Sequence, residues 1–217
     1  SQNGGQWSSP AILSNTNSDV DTPQIAVDST GLVTAIWAEY DGSYYVIRTR
    51  NSQNGGAWSA TVNLSDSGNA YEPYIAVDSA GTVTAIWTNS VNNTWVIKAR
   101  TSENGTDWSE TANLSSESGW GLGPKLVVDS EGLVTAIWYR WNGTDTELIE
   151  SRTLEQGGSW SPAVQLFDNH PGCNGTNPGV CVGVPEIAVD SAGLVTAVWS
   201  RHDGTNTIIE SSSSQSG

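Results

Sequence analysis

Four times in 217 residues the chain writes nearly the same segment. Ile25 to Trp37 reads IAVDSTGLVTAIW, and it returns as Ile75 to Trp87, Leu126 to Trp138 and Ile187 to Trp199. A proline stands before each copy: Pro23, Pro73, Pro124 and Pro185. Each unit also carries a Trp-Ser pair, at Trp7, Trp58, Trp108 and Trp160. A period of about 50 residues, stretched to about 60 before the last copy, means stacked or radially arranged units rather than one irregular fold. The repeat supplies its own control. Positions that stay constant belong to the scaffold, and positions that vary are where function can reside.

Each unit reads as four short strands. The first is small and apolar, as in Ile25-Ala26-Val27, and ends in an Asp-Ser-x-Gly turn whose glycine supplies a positive φ. The second, Leu-Val-Thr-Ala-Ile-Trp, is nearly all apolar and rich in β-branched residues, as suits a strand buried on both faces. The third alternates, as in Tyr45 to Arg50 or Trp95 to Arg100, and a Gly-rich turn leads to a fourth at the Trp-Ser pair. No segment has a helical period. The expected fold is therefore all-β, a β-propeller of four four-stranded blades in a single domain over residues 1–217, with repeats at about 15–64, 65–114, 115–166 and 167–217 plus 1–14. The chain starts within a turn and supplies a fourth-type strand at Trp7, and it ends after a third-type strand at Thr207 to Glu210. The N-terminal strand is thus expected to close the last blade, residues 5–14 pairing with 205–212, and to leave no open sheet edge.

Eight Lys and Arg stand against 23 Asp and Glu, a formal charge of −15. That balance argues against nucleic acid and anionic membranes, both of which need basic patches. No apolar run approaches the length that inserts into a bilayer. The only cysteines, Cys173 and Cys181, share the one long insertion, Phe167 to Val184. A disulfide between them is expected, and with it an oxidising compartment; a zinc site with His170 lacks a fourth ligand. A composition rich in Ser, Thr, Asn and Gly and holding two lysines suits a secreted or cell-surface protein.

The Gly-rich turns carry a family resemblance. Ser52-Gln53-Asn54-Gly55-Gly56-Ala57-Trp58 and Ser102-Glu103-Asn104-Gly105-Thr106-Asp107-Trp108 resemble degenerate Asp-boxes, the turns of the BNR repeats of sialidases; Ser1 to Trp7 and, more loosely, Leu154 to Trp160 follow. Asn replaces the Asp, with Gln156 in the last turn, and one residue is missing before the Trp. The resemblance implies the propeller fold. It does not imply activity, because the Asp-box is a structural turn remote from a sialidase active site. The Phe-Arg-Ile-Pro motif and the three clustered arginines of sialidases are absent too.

In a propeller the invariant turns share one face, and the loops that vary from unit to unit share the other. Loops on a rigid scaffold usually carry binding. Trp95, Trp120 and Trp141 break the repeat and fall in these loops with Tyr40, Tyr71, Arg140, Arg201 and Asp203. Trp rings stack on the C–H faces of sugars while Asp and Arg take the hydroxyls. These eight residues form the candidate ligand site, with no catalytic residue, metal ligand or cofactor assigned. The expectation is an extracellular, non-catalytic recognition module whose partner is a glycan or a protein. The alternative is a structural or adhesive repeat protein that self-assembles into a layer or fibre. A hydrolase using a carboxylate pair drawn from Asp21, Glu39, Asp41, Glu72 and Asp203 is set aside.

Overall fold

The structure is a computed structural model that describes residues 7–144, 146–167, 182–203 and 205–215. Cys173 and Cys181, with their expected disulfide, and His170 lie outside the described residues. The described elements are all strands. The first unit holds β1 (Val20–Val27), β2 (Leu32–Tyr40), β3 (Tyr45–Gln53) and β4 (Val62–Asn63). The second holds β5 (Asn69–Val77), β6 (Val83–Val91), β7 (Thr94–Ser102) and β8 (Ala112–Asn113). The third holds β9 (Trp120–Val128), β10 (Val134–Trp141), β11 (Glu147–Leu154) and β12 (Val164–Phe167), and the last β13 (Glu186–Val189), β14 (Leu194–His202) and β15 (Thr207–Gln215). Within each unit successive strands pair antiparallel.

Local chemistry explains the repetition. In every unit the repeat aspartate folds its own turn. Asp28 Oδ1 accepts from the amides of Thr30 and Leu32, both at 2.8 Å, and Asp78, Asp129 and Asp190 do the same for their turns. Burial opposes ionisation of Asp28, yet the bonds from Leu32 and Thr30 prevail and hold its carboxyl below the usual range. The second strands β2 and β10 are buried along most of their length, and the indoles of Trp37, Trp87, Trp138 and Trp199 lie in the core. Of the Trp-Ser tryptophans, Trp58, Trp108 and Trp160 are half-buried and Trp7 is exposed.

The core lies between units, not within them. Ile36, Ile47 and Leu64 of the first unit pack on Ile75, Ala85 and Trp87 of the second. Ile86, Ile97 and Leu114 meet Leu126, Ala136 and Trp138 in the same way, and Ile137 and Ile149 meet Ala197 and Trp199. Each unit thus has a leading face and a trailing face, and the first strands β1, β5, β9 and β13 run side by side in order.

Among the described residues the expected closure is not formed. Residues 7–14 make no strand, and β15 pairs with β14 alone among the described residues. Instead Ala11 to Ser14 line a hollow with Val20 to Pro23 and Ala35 to Trp37, against the first unit rather than the last. The reason is geometric. β13 and β1 make no contact comparable to those between consecutive first strands, so the edge of β15 is never brought to the N-terminal segment.

Candidate functional site

One irregularity recurs before the repeat prolines. In β1 the register jumps between Asp21 and Gln24, in β5 between Tyr71 and Tyr74, and in β9 between Leu122 and Lys125. Two residues then oppose one repeat tryptophan, which is a β-bulge, a device that re-aims side chains. The first bulge residue takes a left-handed backbone each time: Thr22 at φ 47°, Glu72 at φ 52° and Gly123 at φ 58°. Gly123 shows what the position prefers. A β-branched Thr and a Glu there carry strain of about 1–3 kcal/mol, the kind found where side chains are held for function.

The bulge turns the Glu72 carboxylate toward the third unit. Its Oε2 accepts from the Gly123 amide at 2.9 Å and from Thr88 Oγ1 at 3.1 Å. Its Oε1 accepts no hydrogen bond among the described residues, and the side chain is exposed. Asp21, also exposed, receives the Thr22 amide on Oδ1 at 2.7 Å. Both carboxylates line one open cavity of about 620 Å³ with Thr22, Tyr71, Trp95, Trp120 and Leu122. Glu72 and Thr22 also line a smaller hollow of about 190 Å³ with Gly123, Lys125 and Val184.

Aromatic rings extend from this cavity across three units. Tyr40 lies 5.6 Å from Tyr45, Tyr45 5.2 Å from Tyr71, and Tyr71 stacks on Trp95 at 5.9 Å. Trp95 and Trp120 are bridge partners of β7 and β9, and Trp120 lies 4.7 Å from Trp141. Burial, with the neighbouring Tyr45, pushes the Tyr71 hydroxyl up from its ordinary pKa.

Of the eight residues picked from sequence, Tyr71, Trp95 and Trp120 line the cavity, and Tyr40 and Trp141 join it through ring contacts. Arg140 is buried, donating to the Ser118 carbonyl at 2.9 Å and pairing with Glu150 at 3.7 Å. Arg201 is paired with Glu210 at 2.6 Å across the last sheet. Asp203 caps its own loop by accepting the amides of Thr205 and Asn206, bonds that hold its carboxyl below the usual range. Among the other acids, Glu39 is buried on Trp37 Nε1 at 2.9 Å, and Asp41 caps the amides of Ser43 and Tyr44. Tyr45 was not singled out, although it aligns with Trp95 at the head of the third strand. Among the described residues no group of three His, Cys, Asp or Glu could hold a metal ion. A larger cleft of about 670 Å³ opens among the invariant turns of the second and third units, including Asn104, Asp107 and Gln156. It holds none of the varying aromatics.

No protein-family model matches the chain, and no curated protein matches it. Solved structures do. An α-L-arabinanase of Penicillium chrysogenum complexed with arabinobiose superposes with a TM-score of 0.65 at 14% identity, over 90% of this chain and 62% of that one. An α-L-arabinofuranosidase of Fusarium graminearum in complex with an iminosugar inhibitor gives 0.62 at 16%, over 91% and 63%. A Hadza microbial sialidase gives 0.61 at 14%, over 88% and 43%. The chain therefore spans about three fifths of the first two proteins and about two fifths of the third. At such identities the likeness establishes the fold, that of β-propeller glycosidases. It also overturns the expectation of a non-catalytic module that is not an enzyme. The architecture is shared with catalytic glycoside hydrolases, and the hydrolase alternative set aside on sequence is the one these structures favour.

Proposed function

We propose that the chain is a carbohydrate-active protein that hydrolyses glycosidic bonds, with Glu72 and Asp21 as its pair of carboxyl groups. The observation that carries this reading is their convergence in one cavity walled by Tyr71, Trp95 and Trp120. Glycoside hydrolysis needs two such groups. One protonates the leaving oxygen, and the other activates water or attacks the anomeric carbon, so that water is added across the broken C–O bond. The aromatic row supplies stacking surface for sugar rings on either side of that point. Its length, from Tyr40 to Trp141, suits an extended oligosaccharide better than a single terminal sugar. The fold likeness to proteins solved with arabinobiose and an iminosugar supports the same class and makes arabino-oligosaccharides the first substrates to try.

The Asn-Gly turns are read as Asp-box equivalents. In the second unit Asn104 Oδ1 accepts the amides of Thr106 and Asp107, while Trp108 Nε1 donates to the Gly105 carbonyl. A secreted or cell-surface location belongs to the proposal and rests on composition. The test is release of reducing ends from a panel of arabinans, arabino-oligosaccharides and sialylated glycans. Wild type should cleave at least one, and Glu72→Gln should lose about 10²-fold or more of that rate. Cleavage undiminished by both Glu72→Gln and Asp21→Asn, or none on any glycan, would overturn the assignment.

A further inference from the structure

The repeat makes it possible to ask what each position is buried by elsewhere in the same molecule. On the leading face Ile75 and Leu126 are 5% and 2% exposed, whereas their equivalent Ile25 is 62% exposed. On the trailing face Ile47, Ile97 and Ile149 are all 0% exposed, whereas Ile209 is 72% exposed. Val198 is likewise uncovered, although Ile36, Ile86 and Ile137 at its position are buried. The two partly uncovered surfaces, on the first of which Ala35 and Trp37 stay buried, are the two halves of one interface that the chain builds three times internally. Taking such isoleucines out of water is favourable, so each face is stabilised by being covered.

The fourth-strand position repeats the pattern. Leu64 and Leu114, just past β4 and β8, are fully buried, and β4 pairs with β3 through Thr49 and Val62. The last unit has three strands and an unpaired edge on β15 among the described residues. Residues 7–14 are the fourth-strand sequence without a sheet, and Leu13, the equivalent of Leu64 and Leu114, is only half-buried.

We infer that the trailing face of the last unit is a docking surface for a second copy of this chain. The second copy presents its first unit head to tail: Ile25 and Val27 cover Ile209 and Val198, and its residues 7–14 add to β15 as the fourth strand. The partner is specified by complementarity, because each bare face is the mate of the other. Among the described residues the two faces do not meet, and a second copy carries the matching face of each. Such a heterologous contact closes into a ring or extends into a filament. It does not depend on the glycosidase reading, since Ile25, Val27, Val198 and Ile209 do not line the cavity of Glu72.

Light scattering after size exclusion tests it on the full chain, with hydrogen exchange on the β15 amides. Wild type should contain two or more copies. Ile209→Asp blocks the trailing face and Ile25→Asp the leading face, and each variant alone should be monomeric. Mixed, they should form a one-to-one dimer through the one remaining intact pair of faces. Both changes are at exposed positions, and unchanged circular dichroism confirms that the variants fold. A wild-type monomer at micromolar concentration, with or without protected β15 amides, overturns the proposal. So does a mixture that stays monomeric.

Discussion

In the proposed hydrolase, Glu72 joins backbone strain and chemistry at a single residue. Its left-handed φ is relaxed only for glycine, yet its carboxylate holds two donors there. Glu72→Gly should therefore abolish hydrolysis while leaving unfolding free energy within about 1 kcal/mol of the parent, because relief of strain offsets the lost hydrogen bonds. A loss above about 3 kcal/mol by urea titration would show that the side chain is there for stability. Asp41 and Asp203 illustrate the opposite use of a carboxylate. Amide donors, from Tyr44 and Ser43 in one and from Asn206 and Thr205 in the other, favour the charged form. Each should titrate below the ordinary aspartate value of 3.8, as read by carboxyl-carbon NMR. The stability they lend is present above that value and is lost as pH falls through the lowered one. None of this distinction shows in the sequence, where Glu72, Asp41 and Asp203 are equally acidic loop residues. A bulge appears only once strand register exists, and the burial of Arg140 depends on its cross-strand approach to Glu150.

Among the elements, strands and turns were the most legible. The Asp-Ser-x-Gly turn and the apolar second strand follow from period and turn chemistry and both appear, and the third strand forms where it was expected, although its burial does not alternate and Val46 and Ile47 are buried side by side. Burial separates the two tryptophan positions more finely than repetition does. Trp87, fully buried in the interface between the first two units, should cost about 3–5 kcal/mol on change to Ala. Half-buried Trp58 should cost distinctly less, and chemical denaturation of both variants checks the order. The varying aromatics belong to a different account. Trp95→Ala and Trp120→Ala should weaken oligosaccharide binding by about 1–3 kcal/mol in calorimetry with a smaller effect on melting, as expected for anchors at a binding surface. The row was partly visible in advance, because Trp95, Trp120 and Trp141 break the repeat. Tyr45 was hidden because it looks like an ordinary strand residue until its neighbours are known.

At the level of the whole molecule, repetition predicted a propeller but not how its ends are satisfied. Phase alone matched the first strand to the last. Whether they meet depends on the curvature accumulated over the inter-unit contacts, a small angle per unit that no residue pattern encodes. The charge of −15 acts at this scale as well. Raising ionic strength from about 0.01 M to about 0.15 M shortens the screening length from roughly 30 Å to 8 Å. Screening relieves self-repulsion. Melting temperature should therefore rise with salt in differential scanning calorimetry, and a fall would mean that ion pairs such as Lys125–Glu186 outweigh the net charge.

The left-handed step before the repeat prolines carries a consequence of another kind. Three neighbouring sectors hold the same socket, occupied by Thr22, Glu72 and Gly123. A side chain seated in any of them leaves the same left-handed backbone step, so a carboxyl group can be moved between sectors by single substitutions. Exchanging the occupants of the first two, Thr22→Glu with Glu72→Thr, would move the carboxyl group from one wall to another of the cavity that both positions line. Activity that survives in the double exchange and fails in Glu72→Thr alone would show that either socket can seat the carboxyl group of the proposed pair.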